Sequence, residues 1–204
     1  IGESNIAIGY NALAQEDTHS YNVAIGRNSL QLQDAGADAY NVAVGYNTGM
    51  SVTTGTLNTL VGALSGDALT TGSSNTAIGE QSLSAETIGT YNVAIGREAL
   101  RLSTLSNKSI GIGYGALYVQ ANTPAAVDTY NIAIGHLAGQ AVTTAIRSTL
   151  IGGSAGSSIT TGQENTFIGY TTGASTTIGN KNVAIGGEAM VTNVAADCNV
   201  AVGL

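Results

Sequence analysis

The sequence predicts an all-β solenoid, a rod of about twelve short coils stacked along one axis. The first observation is a pentad, typified by Asn92–Gly96, that occurs twelve times in the chain. The second is its period, because successive closing glycines lie 17 residues apart, except 19 between Gly26 and Gly45 and 22 between Gly113 and Gly135. A short fixed period is typical of solenoids, whose coils contact mainly their neighbours. We therefore expect residues 1–204 to form a single elongated repeat domain.

Each pentad predicts one short strand. The second and fourth residues, such as Val93 and Ile95, are β-branched in all twelve coils, and the middle residue is mostly small, like Ala94. Side chains alternate between the two faces of a strand, and β-branched residues favour strands. Since neither face is polar, both need a cover, and one coil has only one other wall to offer. We therefore expect a second chain to cover the other face, without specifying which face that is.

The remainder of each coil reads as turns and a polar wall. Counting from the first residue of the pentad, position 9 is either leucine-like (Leu13, Leu30, Leu83, Leu100, Leu117 and Met190) or glycine (Gly49, Gly66, Gly139, Gly156 and Gly173). We expect the leucines to lie inside the coil and the two variants to mark two turn geometries. Thr-rich segments such as 69–72 predict a short outer strand followed by a glycine turn. No segment has the length or the caps of a helix.

Asparagine opens ten of the twelve pentads, and Ser109 and Ser148 replace it in the others. Stacking at a fixed period places these side chains in a column, where each amide can bond backbone or the next asparagine. We expect a structural ladder formed by Asn5, Asn22, Asn41, Asn58, Asn75, Asn92, Asn131, Asn165, Asn182 and Asn199.

Charge and composition exclude several classes of partner. The net charge is −7, and the six basic residues form no stripe, so we expect no nucleic-acid partner. Apolar runs reach about five residues, which predicts no direct membrane insertion. The single Cys198 cannot form an internal disulfide. The chain begins at Ile1 without methionine, so we read it as a fragment of a longer fibrous protein.

No group of residues points to catalysis. His19 and His136 lie in different coils, and no serine or cysteine stands at a spacing suited to a triad. Glu16, Asp17 and Asp34 lie near loops, without the spacing of a calcium loop. We expect no catalytic, metal-binding or cofactor-binding residues and no enzymatic activity.

Two insertions are the candidate receptor contacts. Gln31–Tyr40 gains two residues and Tyr118–Tyr130 gains five, including the only proline, Pro124. Solenoids accommodate insertions as loops on one face, which often binds a partner. The candidate contacts to a cell-surface glycan or protein are Asp34, Asp38, Tyr118, Gln120, Asn122, Asp128 and Tyr130.

A threonine column gives a different hypothesis. Position 13 is threonine in seven coils, at Thr53, Thr70, Thr87, Thr104, Thr143, Thr160 and Thr177. Regular threonine arrays are typical of ice-binding solenoids, so a monomeric ice- or ligand-binding solenoid is one alternative. The column lapses in other coils, for example at Asp17 and Val194, which favours a plain polar β surface.

The repeated N-x-A-I-G pentad resembles the head repeats of trimeric autotransporter adhesins and, more closely, the Asn-Thr-Ala-Ile-Gly arrays of phage tail fibres. The match runs from Asn5 to Gly203, and Tyr21, Tyr40 and Tyr91 before the asparagine favour the fibre arrays. The adhesin repeats are shorter, near fourteen residues. The resemblance implies a left-handed parallel β-roll that forms a homotrimer on a virion or bacterial cell surface. We expect a tail-fibre shaft or head in host attachment, with an adhesin head as the alternative.

Overall fold

The computed structural model describes residues 3–16, 20–121 and 126–203, and these contain no helix. One parallel sheet of twelve strands runs through them, in the order in which the strands occur in the chain. The strands are Ile6–Ile8, Val23–Ile25, Val42–Val44, Thr59–Val61, Thr76–Ile78, Val93–Ile95, Ile110–Ile112, Ile132–Ile134, Thr149–Ile151, Thr166–Ile168, Val183–Ile185 and Val200–Val202. A second, two-stranded sheet pairs Ser106–Asn107 with Val127–Asp128. The protein is therefore a parallel β-solenoid, as the repeat predicts.

The period sets the register of the sheet. Each residue pairs with the same pentad position in the next coil, as Val93 does with Ile110. The longer coils keep this register, because Val23 pairs with Val42 and Ile110 pairs with Ile132. The two additional residues of the 19-residue coil therefore lie outside the paired register, as the sequence predicts, and the larger insertion does not shift the pairing of the strand that follows it. Residues 122–125 of the larger loop, including Pro124, lie outside the described residues.

The interior of the solenoid is filled from pentad position 3. Ala94 and its equivalents in the inner coils are fully buried, whereas Ala7 in the first coil is exposed and Ala201 in the last is partly buried. Three coils place a larger side chain there, namely Leu60, Leu150 and Phe167. Val93 and Ile95 point the other way and are only partly buried. The sequence did not decide which face of the strand points inward. In the structure the small-residue face lines the core, and the β-branched face lies on the outside.

The leucine and glycine variants at position 9 share one turn geometry, so the expectation of two geometries is wrong. Leu100 has φ 51° and Gly66 has φ 56°. The leucines lie inside the coil as predicted, and Leu100 is fully buried. Glycine instead makes room, because a Cβ on Gly66 would lie 2.9 Å from Cδ2 of the large position 3 residue Leu60. The variants are two ways of filling the same volume, as close packing of an interior requires.

Position 12 completes this exchange of volume. With leucine at position 9 it is polar in the coils of Gln33, Glu86 and Gln120, whereas with glycine at position 9 it is apolar in those of Val52, Leu69, Val142 and Ile159. Position 12 is therefore polar in the first group of coils and apolar in the second, with Thr176 in the coil of Gly173 as the exception.

Left-handed corners bend each coil. Positions 7, 9 and 17 have positive φ, as in Glu98 (59°), Leu100 (51°) and Tyr91 (60°). Such a conformation costs a non-glycine residue about 1–2 kcal/mol. The amides of all three residues bond to a neighbouring coil at 2.9–3.2 Å, which offsets part of that cost.

The closing glycine is required by contact as well as by φ. Gly96 has φ 126°, and a Cβ there would lie 2.7 Å from the carbonyl oxygen of Gly113 in the next coil. Between these corners the Thr-rich half of the coil is too short for regular pairing. The predicted outer strand is therefore wrong for the described residues outside the Ser106–Asn107 and Val127–Asp128 pair.

Candidate interaction surface

The asparagines at position 1 form the predicted ladder. The Asn92 Oδ1 accepts a hydrogen bond from the Ser109 N–H of the next coil at 3.0 Å. Its Nδ2 donates to the Ser106 carbonyl, at position 15 of its own coil, at 2.7 Å. The same two bonds recur at Asn58 and Asn75. Each asparagine therefore closes its own coil and fastens it to the next one.

Two further columns stabilise the stack with side-chain hydroxyls. At position 13, Thr53 and Thr143 donate to the carbonyl of the next threonine in the column, at 3.2 and 3.0 Å. At position 8, Ser29 and Ser65 donate to the buried strand carbonyls of Ala43 and Ala77 at 2.9 Å. The position 13 hydroxyls are thus engaged with backbone, a structural role for the threonine column.

The outward face of the sheet is a β-branched strip, here called the outer strip and defined as positions 2 and 4 of all twelve pentads. It is apolar except for four threonines at position 2, namely Thr59, Thr76, Thr149 and Thr166. Its side chains are partly buried against one another along the stack. Exposure at position 4 still reaches 39% at Ile78, 41% at Ile185 and 59% at Ile8. Only neighbouring coils cover these side chains within the described chain. The outer strip is therefore an uncovered β-branched surface along the whole sheet.

Tyrosines border the outer strip on both sides. Position 17, before the strand, carries Tyr21 and Tyr40, whose rings stack with centroids 5.0 Å apart. Position 6, after the closing glycine, carries Tyr10 and Tyr46, which are 70% and 49% exposed. Tyrosine joins a large apolar ring to a polar hydroxyl and is enriched at protein interfaces. The two columns widen the outer strip into a broader aromatic surface.

Cations lie against tyrosines of adjacent coils in the same region. The Arg27 guanidinium lies 5.8 Å from the Tyr10 ring centroid, and the Arg97 guanidinium lies 6.0 Å from that of Tyr114. Sequence reasoning missed these pairs, although residues 17 positions apart in a 17-residue repeat are direct neighbours. Each of these arginine–tyrosine pairs joins two adjacent coils, and it engages the arginine within the chain.

Within the larger insertion, Asp128 and Tyr130 form one cluster with Lys108. The Lys108 Nζ lies 2.5 Å from Asp128 Oδ2 and 5.1 Å from the Tyr130 ring centroid. The Tyr130 hydroxyl donates to the same Asp128 oxygen at 3.2 Å. The hydrogen bond from Lys108 holds the pKa of Asp128 below its usual value, and the same bond raises the pKa of Lys108. This ion pair lies at the surface.

The other candidate receptor contacts are placed differently. Tyr118 pairs with Arg101, whose Nη1 donates to the Tyr118 hydroxyl at 2.9 Å. Gln120 is fully buried and accepts from the Asn131 Nδ2 at 3.0 Å, so contact with a receptor would break an internal network. Asp34 and Asp38 are exposed, and the Asp38 carboxylate accepts from the Ser20 N–H at 3.1 Å. Asn122 lies outside the described residues.

A buried carboxylate that sequence reasoning overlooked is Glu86. Its Oε1 accepts from the N–H groups of Thr87, Gly89 and Leu105 at 2.9–3.0 Å, and its Oε2 accepts from the Ser106 N–H at 2.9 Å. Buried charges occur in proteins when hydrogen bonds satisfy them in this way. The polar residue at position 12 opposite a leucine at position 9 is the signal that would have identified it.

The described residues hold no cluster of histidine, cysteine or acidic side chains suited to a metal ion. His136 stacks on the Tyr114 ring, with centroids 5.3 Å apart, and His19 lies outside the described residues. Nor do the described ranges include a helix of the length and apolarity that a membrane span requires.

By its fold, this protein belongs to the β-solenoids. Comparison with known proteins finds no match for the chain among protein-family models, curated proteins or solved structures.

Proposed function

We propose that this chain is a structural and attachment module of an extracellular fibrous protein and that it works as a parallel homotrimer. The observation that carries the proposal is the outer strip, which follows the sheet from its first strand to its last. A sheet face of this kind normally faces a core or a partner. The described chain offers no second layer for it, and identical chains side by side would supply one.

The size of the outer strip suits self-association. With strands about 4.8 Å apart, the twelve strands extend for about 53 Å, and a strip about 10 Å wide covers roughly 500 Å². This is at the upper end of the largest apolar patches on monomers, about 300–600 Å². The tyrosines of the two flanking columns, four in each, add aromatic surface beside this strip.

The three-fold state and the attachment role rest on the resemblance to tail-fibre and adhesin repeats. A rod of stacked coils suits a spacer that holds its two ends apart. Its interior is filled by packed side chains. The proposed site of action is the virion surface, as a tail-fibre shaft or head. A bacterial adhesin head is the alternative.

Sedimentation equilibrium of a matched pair of variants tests the proposal. Replacing Val93 and Ile95 with aspartate places charges on the outer strip while leaving the core residue Ala94 in place. The control replaces Thr54 and Thr71, which are exposed in the Thr-rich half of the coil, with aspartate. We expect trimers for the native chain and the control and monomers for the outer-strip variant. Trimers in all three samples would refute the assignment of the interface.

A further inference from the structure

We propose that the two columns beside the outer strip dock on each other between chains and set the register of the assembly, an inference that rests on the proposed homotrimer. Position 17, the residue before each pentad, is here called the leading flank. Position 6, the residue after the closing glycine, is called the trailing flank. Tyr91 and Arg97, for example, are the leading and trailing flank of strand Val93–Ile95.

The symmetry of a closed parallel ring brings these two flanks together. Rotation about an axis parallel to the rod keeps every coil at its own height, and it places different surfaces of neighbouring chains in contact. With the outer strips facing the axis, the leading flank of each chain lies beside the trailing flank of the next chain at the same height. Tyr91 and Arg97 of one chain stand at opposite ends of their strand, roughly 15–20 Å apart. Tyr91 is 61% exposed and the Arg97 side chain is 59% exposed, so both can contact a neighbour.

Cations and tyrosines are matched across the two flanks. Three strands carry a cation on one flank and a tyrosine on the other, namely Tyr21 with Arg27, Tyr91 with Arg97, and Lys108 with Tyr114. In the third pair the cation lies on the leading flank, so the cation and the tyrosine have exchanged sides together. A cation over an aromatic ring is an attractive contact. The pairing therefore holds whichever flank carries the charge.

Side-chain volume is matched in the same way. Long leading residues that are not aromatic stand opposite small trailing residues, namely Leu57 with Ala63, Arg147 with Gly153, and Lys181 with Gly187. Leu57 is 57% exposed in the single chain, so its own coils leave most of it uncovered. A small residue on the facing flank leaves room for such a side chain, as the close packing of a stable interface requires.

Charge and size together favour one register. From the strand flanked by Tyr21 to the strand flanked by Gly187, no strand carries a charged residue on both flanks. Shifting the neighbouring chain by one coil in one direction places Lys108 opposite Arg97, and like charges facing each other across an interface are unfavourable. A shift in the other direction places Leu57 opposite the Glu80 carboxylate. The in-register alignment avoids both contacts.

Disulfide cross-linking tests the pairing, with Cys198→Ser as the background. Leu57→Cys with Ala63→Cys probes the in-register contact, and Leu57→Cys with Arg97→Cys is the control, displaced by two coils or about 10 Å. A disulfide needs Cα atoms within about 7 Å, so neither pair can close inside one chain. The left-handed backbone of position 17 accepts cysteine, because Cys198 itself has φ 58°.

After mild oxidation we expect covalent dimers and trimers of the Leu57/Ala63 variant on denaturing gels without reductant, and loss of these bands in the control. Melting temperatures are compared first, and Ser74→Cys with Glu80→Cys, the pair beside the next strand, replaces a variant that unfolds. Sedimentation equilibrium gives the mass of each sample before oxidation. Trimers whose in-register pair cross-links no better than the control refute the flank pairing alone. A single-chain mass refutes the proposed homotrimer and the pairing with it.

Discussion

Replacing Asn92 with alanine tests the role of the asparagine ladder in stability. The substitution removes the acceptor of the Ser109 N–H and the donor to the Ser106 carbonyl. Both serines are fully buried, so water cannot replace the lost partners. Each buried polar group left unpaired costs about 1–3 kcal/mol, which gives a predicted loss of about 2–6 kcal/mol in the free energy of unfolding. The hydrogen bond that the Asn92 N–H donates to Asn75 Oδ1 is retained.

Serine at the same position should be intermediate. The chain itself places Ser148 at position 1, where the hydroxyl accepts from the Asn165 N–H at 3.3 Å. Asn92→Ser therefore retains an acceptor for the next coil and loses the amide donor that closes its own coil. We expect about half of the destabilisation seen with alanine.

Urea unfolding followed by circular dichroism measures the series, with Thr54→Ala as the control at an exposed position. The order of stability should be control, serine variant, alanine variant. An alanine variant within about 0.5 kcal/mol of the control would refute the reasoning, because that is the range of ordinary surface substitutions. The ladder would then be a consequence of stacking rather than one of its causes.

The remaining predictions concern the core, the corners and the surface ion pair. Ala94→Asp should prevent folding, because it buries an unpaired carboxylate in a fully closed interior; a folded circular dichroism spectrum would contradict this. Gly96→Ala should lower the melting temperature sharply, since its Cβ would lie 2.7 Å from the next glycine carbonyl, and an unchanged temperature would show that the corner can relax. Glu86→Gln should cost about 2–4 kcal/mol in urea unfolding, because an amide NH₂ would face backbone N–H donors; equal stability would mean that the carboxylate is not needed. The Lys108–Asp128 pair should contribute to stability at neutral pH, and its contribution should be lost as the pH falls below 3.8 or rises above 10.5; melting curves of Asp128→Asn that track the native chain at every pH would argue against it.

The repeat itself predicts much of the fold. Twelve pentads in phase predict twelve strands, their in-register pairing and the asparagine ladder. These features depend only on which residues are one period apart. The insertions at 19- and 22-residue spacing are also predictable as loops, because Val42 and Ile132 must still meet their partners.

The direction of each face could not be read in the same way. Alternation separates Ala94 from Val93 and Ile95, but the inward side is set by corners at positions 7, 9 and 17. Those corners carry Glu98, Leu100 and Tyr91 in the left-handed region, which residue preference does not predict. The shared geometry of leucine and glycine at position 9 was missed because leucine is not expected in the left-handed region. The exchange between the two residues adjusts the volume filled in the core and leaves the turn unchanged.

The candidate contact surface was only partly accessible from sequence. Insertions and exposed-looking polar residues suggested Gln120, yet its amide belongs to the buried network of the larger coil. Predicting the tyrosine–arginine pairs would have required placing the position 6 residues of successive coils next to one another.

The mass of the native chain in solution tests the central claim most directly. Light scattering on a sizing column, over a range of concentrations, should give three times the chain mass of 20.4 kDa. That result would agree with an outer strip covered by copies of the same chain. A particle of 20.4 kDa at all concentrations would contradict the account, because the β-branched face would then be stable in water without a partner.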